Sequence, residues 1–145
     1  MTTTTSTREL VHAYFAAWNS HDPDGVAAQF APDGVRRWQV VNNPAIHSPD
    51  WFEGRGAIAG GVKAFMDMLP DLRVELGAYA ETEDGGIFEW TCFGTHTGAW
   101  GDWEGQGEAV ELPGVSIVRI ADGQILEERM YFDPDMMARN WRPPA

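Results

Sequence analysis

The sequence predicts an α+β fold in which a curved antiparallel sheet of about six strands wraps around N-terminal helices as a cone. Three helical patterns lie between Ser6 and Pro70, with one strand and a loop before the third, and strand patterns follow from Leu72 to Phe132. A short closing helix is predicted from Pro134 to Trp141. The 145 residues suit one domain over 1–145, with 1–6 as a flexible lead.

Capping signals and apolar periodicity define the three helices. Ser6 to Glu9 has the form of a capping box, and the helix after it should end near Asn19. Asp22-Pro23 is typical of the cap and first position of a second helix, which we expect to continue through Phe30. A third helix is predicted to end at Pro70. Its apolar positions are Ile58, Val62, Phe65, Met66 and Leu69.

Strand patterns account for most of the rest of the chain. Alternation or apolar runs predict strands over 35–41, 72–76, 87–96, 109–112, 114–120 and 124–132. The last two are joined by the tight turn Ala121-Asp122-Gly123, and residues 98–107 should form the wide end of another hairpin. The segment 42–55 is predicted to be a loop that acts as a lid or rim.

Composition excludes several classes of function. The net charge is −12, with 22 acidic and 10 basic residues, so nucleic acid is not an expected partner. The sequence contains no apolar run long enough to predict a signal peptide or a membrane span. We therefore expect a cytoplasmic protein. The four histidines lack paired ligand spacing and no glycine motif cradles phosphate, so neither metal nor cofactor is predicted.

The last predicted strand delivers one carboxylate, that of Asp133, to its end. Alternation would place Tyr131 and Asp133 on one face, with Arg129 deeper on the same side. Among aromatic groups such a carboxyl could act as base and then acid. Asp133-Pro134 is equally typical of a helix cap, and residue pattern alone leaves both interpretations open.

From Arg8 to about Trp141 the chain resembles the SnoaL-like polyketide cyclases, which have the nuclear transport factor 2-like fold. The resemblance rests on the final hairpin with its Asp-Gly turn and terminal Asp133. It implies a cyclase with Asp133 as acid/base at the mouth of an apolar cone. It also draws attention to His96, which could orient a carbonyl or shuttle a proton, although a rim histidine is the commoner role. These cyclases have a histidine where Ser116 stands here.

The closing Tyr131-Phe132-Asp133 also resembles that of limonene epoxide hydrolases. Those enzymes carry an Arg-x-Asp pair where this chain has Trp90 and Cys92, which argues against epoxide hydrolysis. The substitutions predict an apolar wall, and Cys92 is interpreted as a small buried hydrophobe. The residues predicted to contact a substrate are Tyr14, Trp18, Trp38, Trp51, Met66, Phe88, Trp90, Cys92, Ser116 and Tyr131.

Three kinds of function remain open at this stage. The first is a cofactor-independent cyclase of a carbonyl-rich, polyketide-like apolar intermediate in natural-product biosynthesis. The second is a pericyclase or spirocyclase that acts by shape; an isomerase or epoxide hydrolase of the same fold is a further alternative. The third is a non-catalytic module that binds a small apolar ligand. The family resemblance also favours a homodimer formed through the sheet, with Glu89, Thr91 and Phe93 facing outward.

Overall fold

A computed structural model describes residues 6–38, 51–100 and 103–133. It contains α1 (Thr7–Asn19), α2 (Pro23–Ala27), β1 (Phe30–Trp38), β2 (Trp51–Glu53) and α3 (Arg55–Met68). The strands β3 (Arg73–Thr82), β4 (Gly85–His96), β5 (Ala99–Trp100), β6 (Trp103–Glu104), β7 (Glu108–Ala121) and β8 (Gln124–Phe132) follow. The predicted closing helix from Pro134 and the loop positions 42–50 lie outside the described residues.

One mixed sheet of six strands forms the body of the fold, in the order β2-β1-β8-β7-β4-β3. All neighbours are antiparallel except β1 and β8, so the predicted antiparallel sheet contains one parallel pair. The short strands β5 and β6 pair separately, where a hairpin was predicted. The α+β prediction, with helices packed on one curved sheet, is confirmed.

The helices begin where their capping signals predict. Ser6 and Glu9 form a reciprocal capping box at α1, and Asp22 accepts a hydrogen bond from the Gly25 amide at the start of α2. The second helix is shorter than predicted, since the chain from Phe30 already belongs to β1. Phe30 pairs with Ile125 of β8, so tertiary strand pairing overrides the helical spacing there.

A bulge in β8 reverses the face on which its later residues lie. Ile120 of β7 pairs with Ile125, whereas Arg119 pairs with Glu127, so β8 carries one extra residue at this point. Beyond the bulge Glu128 and Met130 are buried, while Tyr131 is 41% exposed. Alternation counted from buried Ile125 would give the opposite result. Arg129 and Tyr131, which were predicted to share one face with Asp133, therefore lie on the side of β8 opposite the buried Glu128 and Met130.

Candidate functional site

An apolar cavity of about 50 Å³ lies between the helices and the concave face of the sheet. Aromatic side chains form most of its wall: Tyr14, Phe15, Trp18, Trp38, Phe65, Phe88, Trp90 and Phe132. Ligand pockets for drug-sized molecules are typically about 300–1,000 Å³. An apolar cavity that binds benzene measures about 150 Å³, so even a small aromatic ligand requires some of these rings to move.

Edge-to-face packing holds the wall together. The Trp38 ring lies 5.7 Å from that of Phe132 and 6.5 Å from that of Phe65, and Trp18 packs at right angles to Phe65. Phe132 also contacts Trp90 at a centroid distance of 6.1 Å. Among the rings of the wall, Trp90 and Phe132 are only partly buried. Substrate access past these two rings would disturb the fewest packing contacts.

Glu128 is the one carboxylate that lines this cavity, as far as the described residues extend. It is 2% exposed, and both of its oxygens accept hydrogen bonds. The Tyr14 hydroxyl donates to Oε1 over 2.5 Å, and the Ser116 hydroxyl donates to Oε2 over 2.8 Å. Ser116 in turn accepts a hydrogen bond from the Trp90 indole N–H at 2.9 Å. We call Glu128, Tyr14, Ser116, Trp90 and Arg36 the Glu128 cluster.

Arg36 supplies the positive charge of this cluster from β1. Its Nε lies 3.3 Å from Glu128 Oε1, and its Nη2 lies 3.2 Å from the Met130 sulfur. The guanidinium carbon stands 5.1 Å from the centre of the Trp18 ring, a cation–π distance. Nη1 is buried without a hydrogen-bond partner among the described residues. The cluster thus contains one buried ion pair, Arg36 with Glu128, and one N–H donor group, Nη1 of Arg36, that no described residue accepts from. Burial of a polar group without a partner in an apolar wall is costly.

Burial changes the acidity of two other groups in the wall. The pKa of Tyr14 is raised well above its usual range, first by desolvation and then by the negative charge of Glu128. Its phenol therefore remains a hydrogen-bond donor at any physiological pH. Desolvation also raises the pKa of the Cys92 thiol to about 12, so this cysteine is not an activated nucleophile.

Six of the residues predicted to contact a substrate lie at this cavity, on helix α1 and strands β1 and β4. They are Tyr14, Trp18, Trp38, Phe88, Trp90 and Cys92. Ser116 is fully buried behind the wall and touches the site through Trp90 and Glu128. Met66 is buried in the hydrophobic core and is not a lining residue. The side chain of Trp51 lies outside the described part of the structure.

The two residues predicted to be catalytic lie away from the cavity. Asp133 is exposed and directly follows β8, and its neighbour Tyr131 contributes to a shallow groove on the outer side of the sheet. His96 does face inward but is fully buried, with its Nδ1 2.9 Å from Oε1 of Glu108. It therefore does not lie near the mouth as predicted, because β4 extends past the cavity to pair with the start of β7.

Sequence reasoning missed Glu128 and Arg36. Arg36 lies two residues before Trp38 and so shares its inward face, which alternation along β1 could have indicated. Alternation counted back from Phe132 and Met130 would have placed Glu128 on the buried face of β8. The sequence contains no clear signal for the bulge that decides which alternate residues of β8 are buried. Within the described ranges, no three His, Cys, Asp or Glu side chains come together as a metal site.

Solved structures of the same shape include proteins described as enzymes. A proposed SnoaL-like polyketide cyclase from Jannaschia sp. CCS1 matches with a TM-score of 0.74 at 20% identity, covering 90% of this chain and 87% of that one. AclR, a proposed hydroxylase from Streptomyces galilaeus, matches with a TM-score of 0.75 at 21% identity, covering 93% and 80%. A proposed polyketide cyclase from Xanthomonas campestris pv. campestris matches at 25% identity with a TM-score of 0.71, covering 92% and 94%.

The fold is an α+β cone of the ketosteroid isomerase and nuclear transport factor 2 type, which are the folds named for two of the similar structures. The SnoaL-like domain model matches residues 11–128, most of the chain. The chain therefore belongs to the SnoaL-like domain family, as the resemblance predicted. No protein among those with curated descriptions matches it. No helix in the described segments is long and apolar enough to cross a membrane.

Proposed function

We propose that this protein is a cofactor-independent cyclase of a compact, carbonyl-bearing apolar substrate, of the polyketide-like kind, and that Glu128 is its acid/base group. The observation that carries the proposal is a buried carboxylate lining an aromatic cavity beside a guanidinium. An enclosed site of this kind strengthens charge interactions and positions a flexible substrate for ring closure. The enzymes of this fold among the similar structures agree with the class of activity.

The proposed reaction moves one proton out and back. The Glu128 carboxylate takes a proton from the carbon next to a substrate carbonyl, and the C–H electron pair becomes an enolate stabilised by the Arg36 charge. The enolate carbon then attacks a second carbonyl carbon of the same molecule, which forms the ring bond and leaves an alkoxide. Glu128 returns its proton to that alkoxide, so no other reactant is consumed.

The test is exchange of solvent deuterium into the methyl group of acetophenone, followed by proton NMR. Acetophenone is small, aromatic and neutral, and its enolisation is the first step of the proposed reaction. We expect the wild-type protein to accelerate exchange above the buffer rate and Glu128→Gln to lose about 100-fold or more of that acceleration. Quenching of tryptophan fluorescence by acetophenone, measured in parallel, should show that the variant still binds it.

Asp133→Asn is the matched control, because it makes the same chemical change at the carboxylate that the family resemblance implicates. We expect its exchange rate to stay near that of wild type, since Asp133 is exposed beyond the end of β8. Loss of exchange in Asp133→Asn with retention in Glu128→Gln would assign the acid/base role to Asp133 instead.

A shape-driven cyclase is the second candidate, favoured by the fact that both Glu128 oxygens already accept hydrogen bonds. In such an enzyme the wall performs the catalysis by folding the substrate. Trp90→Ala would then reduce turnover of a cyclising substrate severely, and Glu128→Gln would reduce it little. Tight acetophenone binding without exchange in the wild type would instead favour a ligand-binding module.

The exposed outer face of the sheet supports a homodimer as part of the same proposal. Ile87 and Tyr131 are 39% and 41% exposed there, and a second copy of the chain could cover them. Analytical ultracentrifugation should give twice the 16.1 kDa chain mass, and Tyr131→Lys should shift it towards the monomer. A cytoplasmic location is part of the same proposal and would be checked by fractionation.

A further inference from the structure

Ser116 stands between the cavity wall and the carboxylate of Glu128. Its hydroxyl accepts a hydrogen bond from the Trp90 indole N–H at 2.9 Å and donates one to Glu128 Oε2 at 2.8 Å. An indole N–H can only donate, so it determines which role the hydroxyl plays towards it. The Ser116 proton is then directed at Glu128, where a carboxylate is the natural acceptor.

The other oxygen of Glu128 is also surrounded by donors. The Tyr14 hydroxyl donates to Oε1, and the Arg36 guanidinium, which has no acceptor capacity, lies beside it. Among the described residues, the other titratable groups that line the cavity are Tyr14 from α1, Arg36 from β1 and Cys92 from β4. Hydrogen bonds that are donated to a carboxylate favour its charged form over the neutral acid.

A proton on the free lone pair of Oε2 would weaken this oxygen as the acceptor of the Ser116 proton, and a proton that points at Ser116 would require the hydroxyl to turn and accept it. The hydroxyl oxygen would then accept from both Trp90 and Glu128, and its own proton would be left in a fully buried position. That arrangement is costly while the Trp90 N–H is present. If the indole moved or lost its N–H group, the Ser116 hydroxyl would be free to accept from Glu128.

We propose that Trp90 and Ser116 are positioning residues that control the protonation of Glu128, so that a change at the cavity wall alters the acid/base group without touching it. Trp90 is suited to this because it belongs to the wall and is partly exposed. A substrate that displaces the indole on entry would ease proton uptake by Glu128 at the moment when catalysis requires it. This last consequence rests on the function proposed above, whereas the hydrogen-bond control does not.

Gly114 leaves the space in which the Trp90 indole lies when it donates to Ser116. A side chain there would meet the Trp90 ring, because an added Cβ would lie 2.3 Å from its Cζ2 atom. The ring therefore packs directly over the β7 backbone, two residues before Ser116 on the same face. The sequence Gly114-Val115-Ser116 thus provides both the space for the indole and the acceptor for its N–H group.

The experiment measures the protonation of Glu128 directly in the ligand-free protein. Infrared spectra are recorded across an acidic to neutral pH series, and subtraction of the Glu128→Gln spectra isolates the band of the protonated Glu128 carboxyl group. We expect the midpoint of this band to move to higher pH in Ser116→Ala, which removes one donor, and in Trp90→Phe, which removes only the indole N–H. A shift of about one pH unit corresponds to about 1.4 kcal/mol.

The double variant separates this mechanism from a general change in the wall. If Trp90 acts through Ser116, then Trp90→Phe should produce no additional shift in a Ser116→Ala background. Phe132→Leu is the control, because it alters a ring of the same wall that contacts Trp90 and has no hydrogen bond. An unmoved midpoint in Trp90→Phe, or an equal shift with and without Ser116, would overturn the proposal. None of these measurements depends on turnover, so they stand apart from the deuterium exchange test.

Discussion

Replacing Arg36 by methionine should destabilise the protein far more than the same change at its neighbour. Arg36 and Glu128 are buried, with side-chain exposures of 6% and 3%, so Arg36→Met leaves an unpaired carboxylate inside the core. Such a loss typically costs about 3–5 kcal/mol. Tyr14 and Ser116 still donate to Glu128, which places the expected loss near the lower end of that range.

Urea unfolding followed by circular dichroism measures the change. With a slope of about 2 kcal/mol per molar urea, a loss of about 3 kcal/mol lowers the unfolding midpoint by about 1.5 M. Arg37→Met is the control, since Arg37 is partly exposed and its contact with Glu127 is 3.9 Å long. A surface pair of that kind is worth about 0–1 kcal/mol, so its midpoint should move little.

The double variant Arg36→Met with Glu128→Gln tests the reason for the loss. It removes both charges, so much of the free energy of unfolding should return. Equal losses for Arg36→Met and Arg37→Met would refute the reasoning. So would a double variant as unstable as the sum of its two single changes, because the penalty would then come from lost packing rather than from an unpaired charge.

Chemical modification, acid unfolding and a glycine replacement test other parts of the account. Cys92 should resist iodoacetamide at pH about 8 in the folded protein and react once urea unfolds it, because burial raises its thiol pKa to about 12. Hydrogen bonds from Thr95 lower the pKa of Asp71, so Asp71 stabilises the fold above its unfolded pKa and this contribution is lost as pH falls through the lower, folded value. Stability of Asp71→Asn, measured by urea unfolding, should therefore fall less on acidification than that of wild type. Gly114→Ala should cost about 1–3 kcal/mol in thermal unfolding and shift tryptophan fluorescence, because its Cβ displaces the Trp90 ring.

Local signals in the sequence predict the helices well because each signal lies within a few residues. The capping box at Ser6 and the Asp22-Pro23 pair set the helix starts through contacts between residues three positions apart. Such contacts can be predicted from the sequence alone. The end of the second helix could not be predicted in this way. Phe30 joins β1 because it pairs with Ile125, almost a hundred residues later.

The aromatic wall of the cavity was predictable from the sequence, but the buried carboxylate of Glu128 was not. Phe88, Trp90 and Cys92 alternate along an uninterrupted strand, so their common face follows from the sequence alone. Glu128 depends on a bulge that arises from pairing between β7 and β8, and one shifted residue exchanges the buried and exposed faces. The same shift places Tyr131, which was predicted to contact the substrate, on the exposed side of β8.

A crystal structure with acetophenone bound would test the central claim most directly, because it locates the ligand relative to both carboxylates. The account predicts the aromatic ring of the ligand among Trp18, Trp38 and Trp90, with its methyl carbon within hydrogen-bond range of a Glu128 oxygen. Acetophenone found instead on the outer side of the sheet, against Tyr131 and Asp133 with the cavity unchanged, would contradict it.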